Sequence, residues 1–247
     1  MKPLIIATCH QKGGTGKSTT AYYLGIHLAA AGHQVLWIDA DPHGGLTKLT
    51  RPSRSLNGQH LGHVLGGAMN PSASLRSAAR DTEEGAQIVV SDLELVNVAA
   101  GLQARNLGRV EALQRAIVAD GQYWDFVIID CPPAADVLAI NALWAADWVI
   151  IPCTPEPLAI EQLVQIRDVI GQVERATGRP IHQELIATMV DTRNGQHQRG
   201  LGTLIAWGAQ VIIPRRNGVF AGEELHNAYA PLAERVLAAF GEEALNA

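Results

Sequence analysis

Short, unbroken apolar runs alternate along this chain with longer segments whose apolar residues recur at helical spacing. The strand-length runs are residues 4–9, 35–38, 126–129, 148–151, 185–190 and 211–213, with a weaker one at 88–90. These runs are continuous rather than alternating, as expected of strands buried on both faces of a parallel sheet. Helical spacing marks residues 17–31, which end at Gly32, and residues 110–119, 158–177 and 223–240. The order strand–helix–strand predicts right-handed crossovers. The expected fold is therefore α/β, a doubly wound and mostly parallel sheet with helices on both faces. Residues 50–84 are rich in Ser, Gly and Arg and predict no regular element. No repeat or break in composition divides the chain, so residues 1–247 are expected to form a single domain.

The first candidate chemistry lies where the first strand meets the first helix. The segment QKGGTGKSTT, residues 11–20, places Gly13, Gly14 and Gly16 in the turn and Lys17-Ser18-Thr19 at the helix start. Glycines let backbone N–H groups approach phosphate oxygens, and the helix start adds unsatisfied donors and a positive dipole end. Lys17 can reach the outer phosphates, the Ser18 hydroxyl can ligate magnesium, and Thr19 supports the inner phosphate side. Lys12, Gly13, Gly14, Thr15, Gly16, Lys17, Ser18 and Thr19 are thus the expected ATP cradle. The ordinary phosphate-loop pattern has glycine where this chain has Gln11, and a second lysine, Lys12, opens the loop.

Two strands end in aspartate. WIDADPH places Asp39 and Asp41 at one strand tip, and FVIIDCPP places Asp130 at another. In an open parallel sheet, ligands collect at the carboxyl ends of strands, where the phosphate loop also lies. Asp130 is expected to serve magnesium directly or through water. Asp39 is expected nearer the metal shell, and Asp41 is expected to orient the attacking water.

Composition narrows the partners. Formal net charge is −5, so any anion binding must come from a local patch. Cys9, Cys131 and Cys153 are widely spaced and read as buried free thiols, without metal-ligand spacing. His27, His33, His60 and His63 also read as lacking ligand spacing near acidic partners. The N-terminal stretch lacks a signal-peptide pattern and no run is long enough to span a membrane, so a cytoplasmic location is expected.

Together these motifs resemble the ParA/MinD group of deviant P-loop ATPases. KGGTGKST is similar to their signature loop, extra lysine included. WIDADPHGGLT, YWDFVIIDCPP, NALWAADWVIIPCTPEPLAIEQL and VIIPRRN follow the family in order over nearly the whole chain. The resemblance implies an ATP-dependent homodimer in which Lys12 reaches the partner's phosphates. It implies that Lys12, Lys17 and Asp41 serve hydrolysis and that Pro214 lines the adenine. The chain departs from the family at His43 (usually Gln), at Gly45 (usually Asn) and at Ala134-Ala135-Asp136, where a Ser-Leu-Gly type switch is usual.

The group divides by what the dimer holds. A membrane-binding branch uses a basic C-terminal helix, whereas the last helix expected here ends with Glu242 and Glu243. No membrane partner is expected. Residues 192–222 contain no acid and carry Arg193, Arg199, Arg215 and Arg216. Arg193 and Arg215 resemble family positions implicated in DNA contact, so nonspecific double-stranded DNA is the expected partner. A ParB-like or other cargo adaptor would stimulate hydrolysis, and the protein would associate with the nucleoid. A membrane-positioning ATPase and a metabolic or metallochaperone ATPase of the same fold are the alternatives.

Overall fold

The apolar runs pair with one another, since a backbone withdrawn from water must bond to other backbone. The computed structural model describes residues 2–54, 57–66, 72–133, 135–216 and 221–245, with only the backbone of 221 and 242–245. Its first half contains β1 (Leu4–Thr8), α1 (Lys17–Ala30), β2 (Val35–Asp39), α2 (Gly45–Thr50), α3 (Leu61–Gly66), α4 (Leu75–Ala78), β3 (Ala79–Asp81), β4 (Gln87–Val89) and α5 (Leu95–Gln103). The second contains α6 (Ala112–Asp120), β5 (Phe126–Asp130), α7 (Val137–Ala145), β6 (Trp148–Cys153), α8 (Pro157–Thr177), β7 (His182–Val190), α9 (Gly195–Ala206), β8 (Val211–Pro214) and α10 (Ala221–Leu245).

The strands form one eight-stranded sheet in the order β3-β4-β2-β5-β1-β6-β7-β8. Every pair is parallel except β3 with β4 at the edge. Side chains alternate between two cores, so the fold is doubly wound. Leu4, Ile6, Trp37, Phe126 and Ile128 face α1 and α10. Ile5, Ala7, Ile38, Val127 and Ile129 face the layer built from α5 to α8. Because β5 sits between β1 and β2, the chain reverses direction around β1, and the loop leaving β1 opens into the resulting crevice.

The predicted helices end close to where their stop signals stand. Gly32 at φ 92° follows α1, and Gly178 in the left-handed conformation caps α8. Residues 50–84 are not structureless: α3, α4 and β3 lie there. Helices α2, α5, α7 and α9 also went unpredicted. Helix α7 is buried on nearly every side and so carries no polar stripe. Helix α9 includes Gly195, Gly200 and Gly202, which dilute the apolar period. Helix α5 is short, and of its residues Leu95 and Leu102 are the buried ones.

One contact fixes α1 on the sheet. A Cβ at Gly25 would lie 2.2 Å from Trp37 Nε1, the indole that donates to Ala21 O at 2.8 Å. We expect Gly25→Ala to destabilise the protein by about 1–3 kcal/mol through overpacking. Urea unfolding followed by tryptophan fluorescence would measure it, and unchanged stability would contradict this packing.

Candidate nucleotide site

The turn between β1 and α1 is shaped by backbone conformations that only glycine adopts without strain. Gly14 stands at φ 74° and Gly16, the N-cap of α1, at φ 93°. A Cβ at Gly13 or Gly14 would meet nothing within 4 Å, so the space above their amides is open. Helix α1 has no side-chain cap and no acid in its first turn, which leaves its leading N–H groups for an anion. Lys17 is buried at 6% exposure, and its Nζ donates to Lys12 O at 3.4 Å. Thr15 is buried, and its carbonyl accepts the Thr188 hydroxyl of β7 at 2.7 Å. Ser18 and Thr19 are half-buried on the first turn.

Parallel register brings the acids to the same edge. Thr8 on β1 pairs with Asp130 on β5, which pairs with Asp39 on β2. Both carboxylates are fully buried. Asp39 is saturated by its own loop: Oδ2 accepts Thr47 N–H and Oγ1–H, both at 2.7 Å, and Oδ1 accepts Asp41 N–H at 3.2 Å. Burial pushes Asp39 up to about 6 against those bonds. Asp130 differs. Its Oδ1 accepts the Thr8 hydroxyl at 3.4 Å, while Oδ2 has no hydrogen-bond partner among the described residues. Burial, then the charge of Asp39, pushes Asp130 up to about 8, against the Ser18 hydroxyl and Lys17.

An orphaned buried carboxylate oxygen beside a serine hydroxyl and a lysine suits a hard divalent cation, which takes oxygen ligands. The residues present therefore fit magnesium, which Ser18 and Asp130 would hold. Asp39 anchors the loop leading to α2. Gly45 opens that helix, and a Cβ there would fall 2.8 Å from Ser18 Oγ. The absence of a side chain at 45 thus lets α2 sit directly against the candidate metal hydroxyl.

Asp41 lies at the rim. Its Oδ1 accepts His43 N–H at 2.9 Å and contacts the exposed His43 ring at 3.0 Å. Pro214 ends β8 and pairs with Val190 of β7, one strand beyond Thr188. Asp136 caps α7, accepting Leu138 and Ala139 N–H at 3.0 Å each; Ala134 lies outside the described residues.

Several functional contacts carried no motif signal. His10 is fully buried, and its Nδ1 accepts Lys12 N–H at 3.0 Å. That places the ring proton on Nε2, which donates to Ala159 O at 3.1 Å. Burial pushes His10 down to about 4, and Lys17 and Lys12 add to the shift, so the ring is neutral. Thr8, Thr47, Thr188 and Glu156 became visible only through strand register and loop closure.

The arginine window changes most. Arg193 grips Asp191 through two bonds of 3.0 and 3.1 Å, and Arg216 pairs with Glu224 at 2.5 Å. Acids just outside the acid-free stretch therefore neutralise two of its four candidates. Arg199 and Arg215 make no ion pair among the described residues.

The histidine reading needs correction too. His60 and His63 meet Glu94, with His60 Nε2 3.3 Å from its carboxylate. Yet His60 Nδ1 accepts Gly62 N–H and His63 Nδ1 accepts His60 N–H. Both neutral rings then carry their proton on Nε2, the atom that would have to bind metal. All three cysteines are free and buried, as expected.

Fold and site together define a P-loop nucleotide-binding protein. Residues 3–183 match a family described as an AAA domain. The chain is 39% identical over 219 residues to the chromosome partitioning protein ParA of Caulobacter vibrioides, covering 85% of this chain and 80% of that one. It is 33% identical over 190 residues to the sporulation initiation inhibitor protein Soj of Bacillus subtilis, covering 76% and 74%. Among solved structures it resembles cobyrinic acid a,c-diamide synthase of Mycobacterium smegmatis with bound ADP and magnesium, at TM-score 0.81 and 31% identity over 95% and 94% of the chains. The chain belongs to the ParA/MinD family of P-loop ATPases.

Asp130 makes the site testable through stability. Its native pKa of about 8 exceeds the ordinary 3.8, so between these values the native state binds the extra proton. Magnesium-free protein should lose stability as pH rises through that window. Asp130→Asn should flatten the dependence and raise Tm at pH 8 by about 2–4 °C or more. An equal or lower Tm would contradict the assignment.

Proposed function

We propose that this chain is a partition ATPase of the ParA type, whose ATP-bound dimer holds DNA without sequence preference and releases it on hydrolysis. The observation that carries the reading is the open, glycine-shaped loop with Lys12 and Lys17, beside an Asp130 oxygen that has no hydrogen-bond partner among the described residues. Its ParA relatives support the same role. The whole chain would work as one ATPase domain.

The loop amides and the N-terminus of α1 bind the phosphates of ATP, and Lys17 reaches the outermost ones. Ser18 and Asp130 would hold magnesium, with Asp39 keeping α2 against them. Bound there, the ion neutralises charge on the transferred phosphoryl oxygens. Asp41 orients the attacking water from the rim, and Pro214 lines the adenine. Lys12 crosses to the partner's phosphates and adds positive charge where negative charge develops. Arg199 and Arg215 meet DNA phosphates first. Arg193 and Arg216 join when phosphate displaces Asp191 and Glu224. A cargo-bound adaptor would stimulate turnover, and DNA binding would place the protein on the nucleoid. No helix among the described residues is long and apolar enough to cross a membrane.

A second reading follows from the likeness to the amide synthase. An enzyme drawing ammonia from glutamine through a thiolate needs an accessible cysteine. Here Cys9, Cys131 and Cys153 are at most 2% exposed, and the Cys9 contact, then burial, holds the Cys131 thiol well above its ordinary value. This favours the partition reading.

Size analysis with ATP or ADP, with and without duplex DNA, tests it. ATP should give a dimer that retains DNA, and Lys17→Ala should remove both. Arg199→Ala with Arg215→Ala should keep the dimer. It should also reduce the slope of log affinity against log salt by about 1 for each DNA phosphate that the arginines neutralise. DNA retention that ignores salt or nucleotide would sink the reading.

A further inference from the structure

We propose that Glu156 is a positioning residue that holds Lys12 back on its own subunit, so that Lys12 reaches a partner's nucleotide only when this pair opens. The proposal rests on the reading that Lys12 acts across an ATP-bound dimer. Lys12 Nζ forms an ion pair with Glu156 Oε2. Glu156 is the N-cap residue of α8, and the Thr154 hydroxyl donates to the same oxygen at 3.4 Å. The Lys12 ammonium holds the Glu156 carboxyl below the usual carboxylate range, so the glutamate is charged.

The lysine backbone is fixed separately. Its N–H donates to His10, whose ring donates to Ala159 O in the first turn of α8. Its carbonyl accepts Lys17 Nζ and Thr15 Oγ1, each at 3.4 Å. Backbone and side chain are thus tied to the same helix start by different bonds. Breaking the ion pair frees the side chain to swing while the loop keeps its phosphate-binding shape.

The same loop bears on α9. A Cβ at Gly200 would lie 2.2 Å from Pro155 O, so the helix backbone rests directly on the residue before Glu156. His197, buried on α9, accepts Asp191 N–H through Nδ1 at 3.2 Å, which ties the start of this helix to the end of β7. Helix α9 carries Arg199 and follows Arg193. A shift of α9 on engaging phosphate would press on Pro155 and move the glutamate. DNA contact and release of Lys12 would then favour one another.

A half-exposed Lys–Glu pair biases its open–closed equilibrium by about 1.5- to 5-fold. A symmetric dimer opens two such pairs, so the dimerisation constant carries the square, about 2- to 25-fold.

The first measurement needs no nucleotide. In the full chain, acylation of the Lys12 amine, read by mass spectrometry, should run about 1.5- to 5-fold faster in Glu156→Gln than in wild type. Glu156→Asp, which keeps the charge on a shorter arm, should fall between. An unchanged rate in Glu156→Gln overturns the latch. In the second measurement, with a non-hydrolysable ATP analogue and magnesium, Glu156→Gln should dimerise about 2- to 25-fold more tightly, with nucleotide affinity of the monomer unchanged. Weaker or unchanged dimerisation overturns the proposal if Lys12→Ala abolishes the dimer. If Lys12→Ala dimerises like wild type, the trans-acting role of Lys12 fails instead, whatever the acylation rates.

Discussion

Two carboxylates lie side by side on adjacent parallel strands, sealed from water. Asp39 and Asp130 share one register row, and among the described residues Asp130 Oδ2 finds no hydrogen-bond partner. Burying charge without a counter-charge costs far more than a typical hydrogen bond returns. The site resolves this by division. Asp39 takes three donors from its own loop and becomes an anchor. Among the described residues Asp130 keeps one oxygen without a partner, and burial, then the charge of Asp39, pushes it up to about 8.

The rest of the nucleotide site is arranged around that constraint. Lys17 enters the same pocket from the first turn of α1 and is itself buried. Gly45 brings α2 against Ser18 because a side chain there would collide with the hydroxyl. Thr188 ties the loop to β7, so the phosphate cradle is braced across three strands rather than hanging from one. A ligand that supplies both anionic oxygens and a divalent cation would meet Lys17 and the open Asp130 oxygen at once.

Much of this was legible in the chain. The strands declare themselves because burial on both faces requires continuous apolar runs, and the loop declares itself because glycine and lysine have few substitutes there. What stayed hidden depends on partners distant in sequence. Nothing local distinguishes Asp39, whose lone pairs are taken by Thr47, from Asp130, whose Oδ2 is left alone. The part His10 plays depends on α8, which supplies an acceptor at Ala159. The arginine window looked uniformly basic because Asp191 and Glu224 stand just beyond its ends. Helices α7 and α9 escaped for opposite reasons, one buried on too many sides to be periodic, the other diluted by glycine.

The account turns on Asp130 being protonated until the metal nucleotide binds. Calorimetric titration of Mg-ADP near pH 7, repeated in buffers of different ionisation enthalpy, counts the protons released. The wild type should release about one more proton per site than Asp130→Asn binding the same ligand, because metal binding requires the carboxylate. Equal proton counts in the two proteins would contradict the account.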